Sequence, residues 1–194
     1  IENSIYKYTS SNVLYAVSSV TVTPTAVDGT KTRVSVNGNI VESGTISAPV
    51  SLIVGSNLIK IITTAENGAS REHWITINRL QPSGINDLQN LTISQGTLSP
   101  TFSSSQLEYS ATVADNVSSL SILPVLLDAT GAIRINGISS ANNTNKSVNL
   151  SFGSNEIPIA VRAENGTTKT YKITVTRSLS ANANLTGITV SAGT

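Results

Sequence analysis

Apolar and polar residues alternate at every second position along much of this chain. Val20, Val22 and Pro24 alternate with Thr21 and Thr23, and Ile75 and Ile77 alternate with polar neighbours. Leu58, Ile59, Ile61 and Ile62 sit in a β-branched run. A period of two built from Val, Ile and Thr predicts half-buried strands. No segment carries a 3.6-residue apolar stripe of helical length. Turn signals punctuate the pattern at Asp28-Gly29, Asn37-Gly38, Gly55-Ser56-Asn57 and Asn67-Gly68, with partners in the second half. Asn-Gly between strand patterns predicts a type I′ hairpin, because both residues tolerate positive φ. Short strands at regular spacing with such turns predict a β-sandwich.

The pattern then repeats. VSSVTVTP (17–24) matches VSSLSILP (117–124), and VSVNG (34–38) matches IRING (133–137). VGSNLIKIITTAENG (54–68) matches FGSNEIPIAVRAENG (152–166), and HWITINR (73–79) matches YKITVTR (171–177). The repeat is out of phase with the chain ends. The C-terminal ANLTGITVSAGT (183–194) copies NDLQNLTISQGT (86–97), whereas Ile1 starts at the level of Phe102. The expected organisation is therefore a first unit over 1–84 that lacks its opening strand and a second unit over 85–181. Residues 182–194 then form a spare opening strand, with Leu185, Ile188 and Val190 at the positions of Leu88, Leu91 and Ile93.

Composition narrows the class. Apolar residues reach 39% and charged residues only 12%, too apolar for disorder and too low in charge for a typical cytosolic domain. A net charge of +1 gives no electrostatic case for nucleic acid or an anionic membrane. Cysteine is absent, which excludes disulfides and thiolate metal sites. No apolar run approaches the roughly 18 residues of a membrane span. Methionine is absent too, so Ile1 is not an initiator; the expectation is a processed chain or a slice of a longer one.

These segments resemble the cadherin-like β-sandwich domain found in tandem in bacterial surface and secreted proteins. Leu91-Thr92-Ile93-Ser94, Gly96-Thr97-Leu98-Ser99-Pro100, Phe102 and Tyr109 carry the resemblance. It continues through Asn136-Gly137, Gly153-Ser154-Asn155, Glu164-Asn165-Gly166 and Tyr171 to Arg177. It covers all of unit 2 and all of unit 1 except its first strand. The resemblance implies a seven-strand-like sandwich in an extracellular setting and implies no chemistry, since such domains are mostly spacers or adhesive modules. The fold expected is all-β: two tandem Ig/cadherin-like sandwiches.

Candidate chemistry is sparse. His73 is the one histidine, at the level of Tyr171 within a strand, and lacks the partners of a triad or a histidine metal site. Calcium needs clustered oxygen ligands, whereas Asp28, Asp87, Asp115 and Asp128 are scattered. Neither catalytic, cofactor nor metal residues are assigned. Glu66 and Glu164 precede Asn-Gly in both units, and a hairpin turn accounts for them. Tyr109 and Tyr171 read as core. Tyr6, Tyr8 and Trp74 are the candidate glycan contacts, because exposed aromatics stack on sugars; the competing reading is core or edge packing.

Two functions remain open, neither of them enzymatic. In one, the chain is a structural subunit of an extracellular filament, joined to other copies of itself head-to-tail. A strand of about six residues spans ~20 Å and a sandwich about twice that, so Ala183–Thr194 reaches unit 1 of a neighbouring copy more readily than its own. Burying Leu185, Ile188 and Val190 there contributes on the order of 5–8 kcal/mol before entropy losses. In the other, the chain is a spacer or carbohydrate-binding tandem module of a longer bacterial surface protein, and surface glycans are its partners.

Overall fold

Most strands form where the alternation places them, as the computed structural model shows, although the alternation over Val20–Pro24 gives strand only at Ser19–Val20; it describes residues 5–180 and 183–191. The chain divides into two compact units, Ile1–Pro82 and Ser83–Thr194. Among the described residues there is no helix.

Unit 2 holds eight strands. In the numbering of the whole chain they are β8 (Leu88–Ile93), β9 (Glu108–Val113), β10 (Ser119–Leu126), β11 (Ala132–Ile135), β12 (Ile138–Ser140), β13 (Lys146–Asn149), β14 (Gly153–Arg162) and β15 (Thr168–Arg177). One sheet runs β12-β11-β14-β15-β9 and the other β13-β10-β8. All pairings are antiparallel except β9 against β15, which are parallel. Inward positions of both sheets are fully buried: Leu88, Leu91, Leu120, Ile122, Ile157, Ile159, Tyr171, Ile173 and Val175. Tyr109 and Tyr171 belong to this core, as the repeat alignment requires.

Unit 1 holds seven strands: β1 (Ile5–Thr9), β2 (Ser19–Val20), β3 (Arg33–Val36), β4 (Asn39–Val41), β5 (Val50–Ser51), β6 (Gly55–Thr64) and β7 (Ser70–Arg79). Its large sheet runs β1-β7-β6-β3-β4, the same order as in unit 2, while its small sheet is only β2-β5. Each strand of unit 1 has a counterpart in unit 2, in chain order. Only β8 has none among the described residues.

Two repeated motifs explain their own sequence. Asn37 and Gly38 take φ of 47° and 86°, and Asn136 and Gly137 take 50° and 76°, the two positive values that a type I′ turn demands. The Gly-Ser-Asn motif is a clamp. Asn155 Oδ1 accepts from Ser151 N at 2.8 Å, and its Nδ2 donates to Ser151 O at 2.8 Å and Gly153 O at 3.1 Å. Asn57 repeats the arrangement with Ile53 and Gly55. Asn155→Ala removes these bonds and a fourth, from Nδ2 to Val175 O at 3.3 Å, and is expected to destabilise unit 2 by about 1–3 kcal/mol, read as a lower calorimetric midpoint; an unchanged midpoint would refute the clamp.

The closing arginines tie loops to the large sheet. Arg79 donates to Tyr15 O and Leu52 O, and Arg177 makes the same bonds to Asp115 O and Leu150 O. Tyr15 lies under the Arg79 guanidinium at 4.7 Å, so that aromatic is part of the packing.

Candidate functional site

In unit 2 the strand β8 does two jobs. It covers one edge of β10, with Ile93 opposite Ile122, Thr92 opposite Leu123 and Leu91 opposite Pro124. It also drives Leu88 and Leu91 into the core, where both are fully buried. The loop that follows adds Leu98 and Phe102, and Phe102 stacks against Tyr109 at 5.9 Å.

Unit 1 has the corresponding surface, with no counterpart of β8 on it among the described residues. Leu120, Ile122, Pro124 and Leu126 are buried; their counterparts Val20, Val22, Pro24 and Ala26 keep the alternation but are only half-buried. Ile173 is fully buried and its counterpart Ile75 is half-buried. Tyr109 is 3% exposed, whereas Tyr8 at the matching place on β1 is 51% exposed. The backbone tells the same story. Alternate residues of an antiparallel strand turn their N–H and C=O to opposite neighbours. Ser121 and Leu127 bond towards β8 in unit 2. The corresponding edge of unit 1, at Thr21, Thr23 and Thr25, makes no backbone bond among the described residues. An uncovered edge of this kind is a template for strand pairing.

Residues Tyr6, Tyr8 and Trp74 are not on one face. Tyr6 pairs with His73 and Lys7 with Trp74 across the parallel β1–β7 ladder. Tyr6 and Tyr8 therefore share the inward face with His73, which stacks on them at 5.0 and 6.1 Å. Trp74 faces outward, where its indole N–H donates to Glu72 and Lys7 lies over its ring at 5.8 Å. Lys60 pairs with the same Glu72, and these bonds hold its carboxyl below the usual range.

Segment 183–191 enters no strand ladder in this chain. Leu185, Ile188 and Val190 are 75%, 78% and 86% exposed. Ile1, Asn182 and residues 192–194, on which the repeat boundaries also rest, lie outside the described residues.

Sequence reasoning missed the segment leading into β8. Glu164 does more than sit in a hairpin: it accepts from Ser83 N at 3.0 Å, and Asn165 N donates to Ser83 O at 2.9 Å. The Ser83 hydroxyl and Thr130 hold the Asp128 carboxyl below its ordinary range. Asp87 pairs with Lys169, whose ammonium is held above its usual range by that carboxylate. Tyr171 OH donates to Ser104 O at 3.0 Å and accepts from Leu88 N at 3.1 Å; burial pushes its phenol up. The recurrence of Glu-Asn-Gly in both units was the available signal. Its contacts run to Ser83, distant in sequence, so no local pattern disclosed them.

Among the described residues, no group of three His, Asp or Glu side chains could hold a metal ion. No helix among them is long and apolar enough to cross a membrane.

Two sheets packed face to face, repeated in tandem, define a pair of β-sandwich modules. The chain belongs to the cadherin-like beta sandwich domain family, whose model matches residues 2–80 and 88–178. A protein of Evansella cellulosilytica named "Putative membrane protein" is 34% identical over 91 residues, which cover 46% of this chain and 14% of that protein. Among solved structures, the fibronectin(III)-like modules of Clostridium thermocellum CbhA are 11% identical, with 93% of this chain and 94% of that chain covered and a TM-score of 0.28. Extracellular cadherin domains 3–6 of protocadherin gamma B2 are 13% identical, with 89% and 46% covered and a TM-score of 0.34.

Proposed function

We propose that this chain is a structural module of an extracellular or cell-surface assembly, and that its unit 1 is completed by residues 183–194 of another copy. The observation that carries this reading is the presence in one chain of an uncovered edge at Thr21–Thr25, just past β2, and of an exposed segment of the β8 pattern. Strand addition of this kind uses ladder hydrogen bonds for affinity and side-chain pockets for register. A head-to-tail contact between unlike surfaces generates a filament wherever its rotation does not close a ring.

The β8–β10 pairing supplies the register. Val190 falls opposite Val22, Thr189 opposite Thr23 and Ile188 opposite Pro24, with Leu185 entering near Ala26. Deleting Ala183–Thr194 is expected to abolish self-association in sedimentation velocity and fibres in electron micrographs. Fibres that form normally without the segment would end this reading.

A second reading is favoured by the relative of which this chain covers only 14%. There the chain is a spacer or adhesive module within a longer surface protein, and preceding residues of the same polypeptide supply the missing strand. The mass and terminal sequences of the native polypeptide discriminate the two. Saturable glycan binding lost in Tyr6→Ala, Tyr8→Ala or Trp74→Ala would mark the adhesive form.

A further inference from the structure

The contacts that lead into β8 in unit 2 have an unused copy in unit 1. Counting back from the strand, Ser180 precedes Leu185 as Ser83 precedes Leu88. Counting along the sandwich, Glu66, Asn67 and Asp28 stand where Glu164, Asn165 and Asp128 stand.

The two cradles share one backbone. Ala65 N donates to Ala69 O at 2.8 Å as Ala163 N donates to Thr167 O at 2.8 Å, and Gly68 N to Ala65 O at 2.9 Å as Gly166 N to Ala163 O at 3.0 Å. Gly68 and Gly166 take φ of 82° and 92°, a left-handed geometry that favours glycine. Asn67 Oδ1 accepts from Ala69 N at 3.0 Å, and Asn165 Oδ1 accepts from Thr167 N at 2.9 Å. Asp28 accepts from Thr30 as Asp128 does.

Only the cover differs. In unit 2, Ala163 is buried and Glu164 half-buried; in unit 1, Ala65 and Glu66 are exposed. A cleft of about 610 Å³ opens there, lined by Ala26, Asp28, Asn67, Arg71 and His73 among others. In unit 2 the residues at these places face Ser83, Asp87 and the start of β8. The cleft reaches the uncovered edge at Thr25 and Ala26.

We infer that Asp28, Glu66 and Asn67 form a docking cradle for the segment around Ser180 of a second copy, so that the interface begins before the strand and aligns it. This rests on the strand-addition reading. The chemistry is complementary: two carboxylates on the cradle face an N–H and a hydroxyl on Ser180, and residues 178–194 carry no charge. Asn184 replaces Asp87 just where Arg71 and His73 replace Lys169 and Tyr171. The incoming strand thus brings no carboxylate to the floor of the cleft. The cradle sets which residue enters first and thereby the register of Leu185, Ile188 and Val190.

The test measures self-association of the full chain by sedimentation velocity. Glu66→Ala removes an acceptor, and Ser180→Pro removes the N–H that would meet it. Each is expected to raise the concentration needed for assembly by about ten- to a hundred-fold, as for a hydrogen bond to a charged group. The two together are expected to do no worse than one, because they break the same contact. Calorimetry on Glu66→Ala checks that unit 1 still unfolds at its normal temperature. Ile188→Asp serves as the separate probe of the strand itself. Unchanged assembly in Glu66→Ala and Ser180→Pro, or fully additive losses, overturns the cradle. If Ile188→Asp then abolishes assembly, strand addition stands without the cradle; if it too assembles normally, the underlying reading falls with it.

Discussion

A graft of residues 183–194 ahead of Ile1, bridged by the sequence of Leu98–Thr101, closes unit 1 from within and ends self-association. The expectation follows from what β8 does in unit 2. In the β8–β10 register the graft lays Val190, Ile188 and Leu185 at Val22, Pro24 and Ala26, all half-buried in the open unit. Three aliphatic side chains contribute on the order of 5–8 kcal/mol, and ladder bonds to the Thr21–Thr25 edge about 1 kcal/mol each. Ordering some six residues opposes this by about 1–2 kcal/mol per residue. The balance is a few kcal/mol in favour of the closed unit. For a domain of this size that raises the unfolding midpoint of unit 1 by about 10 °C or more. Trp74 is the only tryptophan and lies in unit 1, so its fluorescence follows that unit alone. A graft that leaves both the Trp74 transition and the sedimentation profile unchanged contradicts strand addition. A graft that stabilises unit 1 yet leaves assembly intact places the intermolecular contact elsewhere.

Much of this fold was legible in the sequence because its signals are local. Period-two alternation names most of the strands, though Val22 and Pro24 alternate without entering one; Asn-Gly names the turns; the internal repeat exposes the unmatched β8. Tyr109 and Tyr171 were legible as core because both halves of a repeat constrain the same position. The aromatics of unit 1 were harder. Tyr6, Tyr8 and Trp74 are close in sequence or pairing, but strand parity sends Trp74 outward and the tyrosines inward, and parity across β1 and β7 depends on their register. The cradle was illegible for another reason. Glu164 and Ser83 lie 81 positions apart in the chain, and an acid before Asn-Gly is already explained by its own turn. Only the covered copy in unit 2 shows what the bare copy in unit 1 lacks.

The same truncation costs different amounts in the two units, and the difference measures how open unit 1 is. Ile173→Ala removes a side chain that is fully buried between the sheets of unit 2, and is expected to destabilise that unit by about 2–5 kcal/mol. Ile75→Ala removes its counterpart in unit 1, which touches the core from a half-exposed position. Dispersed chains are expected to lose about 1 kcal/mol there, because part of the deleted surface already meets water. Once β8-type residues cover it, Ile75 acquires the surroundings of Ile173, and its truncation then costs as much. Denaturant titrations followed by Trp74 fluorescence, on dispersed chains and on assembled material, give the two values. The ratio rises on assembly if the open face of unit 1 is where the copies meet. A cost that is the same in both states locates the contact away from Ile75, however strongly the chains associate. Because Ile75 lies on β7 and not on the β2 edge, this measurement reads core burial separately from backbone pairing.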